Sequence, residues 1–324
     1  MIPKFDYERP ASMRQAIKQL TLPGTRLHAG GTDLLGCLRD GVFGAEKVVS
    51  IGGLSELRGI KRASDGSVTI GALTTLAQLA ADPIILRHYT ALAQGALSAA
   101  SPQLRNQGTL GGNLCQRPRC WYFRGDFHCL RKGGGVCYAV GGQNQYHCIF
   151  GGDACYIVHP SDTAPALIAL GARVRIEGPS NSKTIPLESF FVPPSKDVTR
   201  EHVLAPNEIL TEVLLPAPAP NQRSSYRKVR ARGAWDFALA GVALCMHVRD
   251  TGEIERARVV LSGVAPTPWR VPDAETALAG KLISEETAKL TAELCVKGAQ
   301  PMEYNGYKVN LVRGVVEEAL LGLR

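Results

Sequence analysis

Six of the chain's nine cysteines fall between Cys115 and Cys155: Cys115, Cys120, Cys129, Cys137, Cys148 and Cys155. An odd number, clustered within a long chain, does not look like the even disulfide framework of a small secreted domain; it points to metal or redox chemistry. Four thiolates are what a cubane iron–sulfur cluster requires, although soft sulfur ligands suit zinc as well. Zinc ligands usually arrive as tight C-x2–4-C pairs, which this stretch lacks, so the wide, loop-borne spacing favours a cluster. His128 and His147 adjoin cysteines and could each replace one sulfur, the rarer arrangement for iron–sulfur.

Two glycine stretches could do a second kind of chemistry. LHAGGTDLL (27–35) and RNQGTLGGNL (105–114) place paired glycines beside a threonine and an Asp or Asn. Neither is a G-x-G-x-x-G fingerprint or a Walker A loop. Glycines let successive backbone N–H groups converge on an anion, and Thr32 and Thr109 would add hydroxyls. The first stretch also starts a helix, whose N-terminus favours phosphate. A pyrophosphate held between two such turns is a coherent geometry; two ordinary tight turns are the plain alternative.

The elements that must position these groups follow from periodicity. The N-terminal stretch reads as a short strand and an amphipathic helix. KVVSI (47–51), SVTIGA (67–72) and RVRIEG (173–178) read as strands, and ALAQGALSAAS (91–101) and APALIALGA (164–172) as helices. The cysteine-rich segment is expected to be a loop insertion, a length that a compact domain tolerates when the loop has a job or a metal to organise it. Proline-marked stretches at 192–197 and 216–222 look like boundaries. Beyond them come long alternating strands, then helices near 284–297 and 305–324, the signature of a separate α+β unit.

The net charge is +8, concentrated at Arg117–Lys132 and Arg223–Arg232. Positive charge beside an anionic cluster or a pyrophosphate is as well explained by neutralising those ligands as by nucleic acid, and no nucleic-acid partner is expected. No apolar run of membrane-spanning length occurs. The N-terminus lacks a secretory layout, so a cytoplasmic chain is expected, or a periplasmic one if a partner's signal carries it.

Six dispersed motifs, LHAGGTDLL, IGALTTLAQLA, QLRNQGTLGGNL, HPSDTAPALIALGA, NEILTEVLLP and YRKVRARGAWDFA, together resemble the FAD-binding middle subunits of the molybdenum hydroxylases, the xanthine and carbon monoxide dehydrogenase family. The resemblance spans essentially the whole chain. It implies a mixed α+β fold, with a two-lobed FAD-binding domain of the PCMH type over 1–178 and lobes of about 1–60 and 61–178. A cluster insertion of about 115–155, a connecting segment 179–222 and a smaller α+β C-terminal domain over 223–324, covering the flavin, complete the expected layout. The pyrophosphate turn falls on Leu27, His28, Ala29, Gly30, Gly31, Thr32, Asp33 and Leu34. Ser101, Thr109, Gly111, Gly112 and Asn113 form the second FAD-binding group, and Asp162, Leu210 and Lys228 match the flavin-contacting positions. A lysine at the N1/O2 edge of the ring would stabilise negative charge there, and Trp235 could shield one ring face and gate the oxidant. The plainer readings are a solvated Lys228 and a core Trp235.

The insertion resembles that of two subgroups, the flavoprotein subunits of 4-hydroxybenzoyl-CoA reductase and of a bacterial aldehyde oxidoreductase, both of which carry a 4Fe–4S cluster there. Matching the flanks assigns Cys120, Cys129, Cys137 and Cys155 as ligands, a C-x8-C-x7-C-x17-C spacing. Cys115 and Cys148 are left as small buried side chains, with Cys148 the competitor of Cys155 for the fourth position; Cys37, Cys245 and Cys295 read as ordinary packing. The implied role is electron transfer within a complex. A molybdenum-cofactor large subunit would act on substrate, a 2Fe–2S small subunit would relay electrons, and the flavin here would pass them to an external acceptor. Wording of the flanks favours aldehyde oxidation over 4-hydroxybenzoyl-CoA reduction, with xanthine-type hydroxylation still open because substrate binds elsewhere. A zinc-stabilised basic binding module without flavin is the competing class.

Overall fold

The computed structural model describes residues 2–324. Ser12 starts the first helix by accepting the Gln15 N–H, and the helix Met13–Leu20 buries Ala16, Ile17 and Leu20 on one face. It packs on a small parallel sheet of β1 (Asp6–Glu8), β2 (Thr25–His28) and β3 (Lys47–Ser50), in the order β1-β3-β2. That sheet delivers the first glycine turn directly from the end of β2.

A second, antiparallel sheet comprises β4 (Ile60–Arg62), β5 (Val68–Gly71), β6 (Arg173–Glu177), β7 (Ser182–Pro186) and β8 (Ile209–Leu215), ordered β4-β5-β8-β6-β7. The stretch 179–222 is expected to be a connecting segment. It instead supplies β7 and β8, and β8 is the central strand, pairing with β5 on one side and β6 on the other. The signal was visible: ILTEVLL is a strand-like apolar run whose Ile209 and Val213 are fully buried. The helices Thr90–Ser98 and Thr163–Ala169 pack into the same core.

The third sheet contains β9 (Gln222–Val229), β10 (Ala240–Val248), β11 (Ile254–Ser262) and β12 (Trp269–Arg270), ordered β12-β11-β10-β9. Its central strand is apolar on both faces, as a strand covered from both sides must be. Val242, Leu244 and Met246 face a core shared with the helices Pro272–Leu278, Glu285–Val296 and Tyr307–Leu321. Ala243 and Cys245 face the core of the preceding domain. The sheet is therefore the wall between the two halves, and its β9 edge meets the helix Thr90–Ser98. The overall class is the mixed α+β fold expected, and no helix among the described residues is long and apolar enough to cross a membrane.

Lys308, at the start of the last helix, is fully buried; its Nζ donates to the Gly263 and Tyr146 carbonyls. Burial outweighs these bonds and pulls its ammonium down to about 8. The unfolded chain, with an ordinary lysine, then binds more protons than the folded one between about pH 8 and the usual lysine value, so stability rises with pH there. The increment is on the order of 3 kcal/mol across that window. Lys308→Met should lack it, and chemical denaturation at pH 7.5 and 10 would show the rise in the parent and its absence in the variant.

Candidate functional site

The two glycine turns touch. Gly30 leaves β2 and lies so close to the second turn that a Cβ on it would overlap the Gln107 carbonyl. A Cβ on Gly108 would lie 3.7 Å from the Thr32 hydroxyl. Gly31 has φ +73°, a left-handed conformation that side chains resist. Ser101 caps the helix Pro102–Gln107, and Thr109 caps Leu110–Cys115 by accepting the Gly112 N–H. Gly111 sits against Ala72, and its N–H donates to the Ala72 carbonyl at 2.8 Å. The turns thus form one glycine-walled crease in which backbone can approach a ligand closely. His28 turns aside, its Nδ1 3.3 Å from the Ser50 hydroxyl, and Leu27, Ala29 and Leu34 are half-buried supports of the turn.

Asp33 does something that the sequence did not reveal. Its carboxylate accepts the Arg117 N–H at 2.7 Å and pairs with Arg124 at 2.7 Å and Arg119 at 2.9 Å. Glu201, also buried, pairs with Arg117 and Arg131. Four arginines that could have been counter-charges for a ligand are thus engaged by two carboxylates of the body, and the cysteine insertion is riveted to the first turn. Asn113 likewise looks away from the crease, accepting the Ser161 and Thr163 hydroxyls at 2.6 Å each.

A second locus forms where β9 faces the start of the helix Thr163–Ala169. Lys228 Nζ donates to Asp162 Oδ2 at 2.8 Å and to the Ser98 carbonyl at 3.1 Å. Tyr226 donates its hydroxyl to Asp162 Oδ1 at 2.7 Å and lies 3.0 Å from the Ser262 hydroxyl. Lys228 is buried, not solvated. Burial pushes the Asp162 carboxyl up, opposed first by Lys228 and then by Tyr226. Tyr226 was missed in the sequence, yet it stands two residues before Lys228 and so shares its strand face. Breaking a buried pair leaves a charge without compensation, at about 3–5 kcal/mol. Lys228→Met should destabilise the chain by that order in urea titration, and Lys228→Arg by less. Leu210 lies in the core of the second sheet opposite Ile176. Trp235 is not a core residue: it is 66% exposed, with φ +52° and its N–H on the Ala100 carbonyl.

Asp162, Ser161 and His159 line a cavity of about 410 Å³ that extends between the domains to Arg119, Phe237 and the insertion. The His159 imidazole is pushed down to about 3 by burial, and its Nε2 has no protein partner.

Within the insertion, Cys120, Cys129, Cys137 and Cys155 all line one small cavity. All nine cysteines are free thiols. Cys137 and Cys155 share a hydrogen bond that draws the Cys137 thiol down and pushes Cys155 up. Cys148 is elsewhere: its N–H donates to the Tyr156 carbonyl, its carbonyl accepts from Asn305, and burial pushes its thiol up to about 12. Cys115 is likewise pushed up to about 12 by burial. Cys37 packs with Cys120, Cys129 and Phe123, a neighbourhood that its distant sequence position concealed. As the side chains stand, no three His, Cys, Asp or Glu donors among the described residues converge on one metal ion.

Residues 3–218 match the family profile described as the FAD binding domain in molybdopterin dehydrogenase, and residues 224–323 that of the CO dehydrogenase flavoprotein C-terminal domain. The chain is 34% identical to the aldehyde oxidoreductase FAD-binding subunit PaoB of Escherichia coli K12, over 99% of this chain and 98% of the relative. It is 31% identical to the putative xanthine dehydrogenase FAD-binding subunit XdhB of the same organism, over 91% of this chain and 86% of the relative. Among solved structures, a carbon monoxide dehydrogenase chain from Hydrogenophaga pseudoflava superposes with a TM-score of 0.79 at 28% identity, covering 100% of this chain and 98% of that one.

Proposed function

Because this chain belongs to the FAD-binding subunits of the molybdenum hydroxylases, we propose that it is the FAD- and 4Fe–4S-bearing electron-transfer subunit of an aldehyde oxidoreductase. FAD binding and an oxidoreductase flavoprotein role come with the family. The observation that supports the placing of the flavin is the contact between the two glycine turns, Gly30 against Gln107. It brings the two turns together along one glycine-walled crease that a diphosphate could approach closely. When bound, FAD supplies exchange of single electrons and of electron pairs.

The residues of this chain have distinct tasks. Gly30, Gly31 and Thr32 would hold the diphosphate by close backbone approach, with Gly111 and Gly112, whose N–H groups are taken by the Ala72 carbonyl and the Thr109 hydroxyl, lining the crease. Asp162, held by Lys228 and Tyr226 in a buried network, would offer the ring a fixed polar contact at the cavity wall. Trp235, exposed and tethered through its backbone, would be free to shield a ring face.

Four thiols around one cavity support the cluster. Similarity to an aldehyde oxidoreductase subunit across nearly the full length of both chains favours aldehydes as the substrates of the complex. The partners would be a molybdenum-cofactor large subunit and a 2Fe–2S small subunit, with an external acceptor at the flavin.

Co-purification with companion subunits, followed by FAD, iron and acid-labile sulfide assays and turnover with aldehydes and purines, tests this reading. The expected result is one FAD with four iron and four sulfide on this chain, and oxidation of aldehydes. Iron and sulfide no greater than the 2Fe–2S subunit accounts for would remove the cluster; turnover of purines alone would reassign the substrate class.

A further inference from the structure

Cys120 and His147 stand in the partition between two cavities. Both line the sulfur-walled cavity, and both line the larger one that reaches Asp162. His147 Nε2 lies 3.3 Å from the Cys120 sulfur. The residue is held at both backbone groups: its N–H donates to the Asn144 carbonyl at 2.9 Å, and its carbonyl accepts from Asn305 Nδ2 at 3.1 Å. Its ring packs against both Trp121 and Tyr122, each at a centroid distance of 6.0 Å.

A neutral imidazole carries one N–H. The other ring nitrogen, Nδ1, is buried without a partner. A buried N–H without an acceptor is costlier than an unused lone pair, so the proton belongs on Nε2, where sulfur can accept it. Hydrogen bonds to cluster sulfurs are among the factors that set reduction potential, and a donor favours the more negative, reduced state.

We propose that His147 is a positioning residue that donates its Nε2–H to the Cys120 sulfur, fixing that thiolate in the partition and raising the potential of the cluster it ligates. This rests on the assignment of Cys120 as a cluster ligand.

The test uses the full chain in its complex, with His147→Phe, which keeps the site apolar but removes the donor, and His147→Gln, which retains one. Iron, sulfide and FAD should match the parent in both variants. An EPR-monitored redox titration should place the midpoint of the Phe variant below the parent, with the Gln variant between them. An unchanged midpoint with full iron would overturn the hydrogen bond while leaving the cluster intact. Loss of iron in the Phe variant to the extent seen in Cys120→Ser would make His147 a ligand and overturn the proposal. A parent chain without iron or sulfide would sink the cluster assignment and this proposal together.

A measurement on the parent protein guards against a variant that fails to fold. With 15N-histidine, the reduced cluster should show a weak 15N coupling and an exchangeable proton that disappears in D2O. A strong, directly bonded 15N coupling, or none, would refute the proposal.

Discussion

Gly30→Val should strip FAD from the chain. The added Cβ would overlap the Gln107 carbonyl, and both are backbone, so no rotamer change relieves the clash. The two turns must part, and a diphosphate held by both loses one set of donors. A loss of only about 1.4 kcal/mol lowers affinity tenfold, and separating the turns should cost more than that. Flavin per chain after purification, read from absorbance and from released FAD, should fall at least about tenfold. Gly31→Ala is the informative contrast. Its φ of +73° imposes roughly 1–2 kcal/mol on alanine, but the nearest obstacle is the tip of the His28 side chain, which can swing away. It should lower thermal stability while keeping much of the flavin. Full FAD occupancy in Gly30→Val would show that the crease is not the diphosphate site.

The second large effect concerns iron. Cys155→Ser should remove most of the cluster iron and sulfide while FAD remains, whereas Cys148→Ser should leave both. Cys155 lines the common cavity and shares a hydrogen bond with Cys137, while Cys148 is engaged through its backbone with Tyr156 and Asn305. Reversal of the two results would move the fourth ligand to Cys148. Acid-labile sulfide decides the metal as well, because a zinc site would contain none.

Much of this was legible in the residues, and the reasons differ by feature. Glycine pairs and dispersed motifs marked the crease because only glycine tolerates backbone packed on backbone, as at Gly30. The two-faced burial of β10 was not read: the strand was expected to alternate, whereas its apolar run is buried along both faces. The central place of β8 was not read, because its strand lies in a stretch flanked by prolines at 194 and 216 that looked like linker. Long-range pairings were beyond one-dimensional reading. Asp33 meets Arg117, Arg119 and Arg124 more than 80 residues away, and periodicity has nothing to say about such partners. Tyr226 lay within reach, since a period of two from Lys228 leads to it. The partition role of His147 depends on which side of a loop the ring faces, which only coordinates reveal.

The arginine rivets bear on how such a chain can be altered. An insertion that merely looped out could be excised or moved to a relative as a cassette. Here removal would strand Asp33 and Glu201, two partly or wholly buried carboxylates, without their cations. Gain or loss of the segment therefore demands matched changes at positions 33 and 201, so transplantation succeeds only as a set.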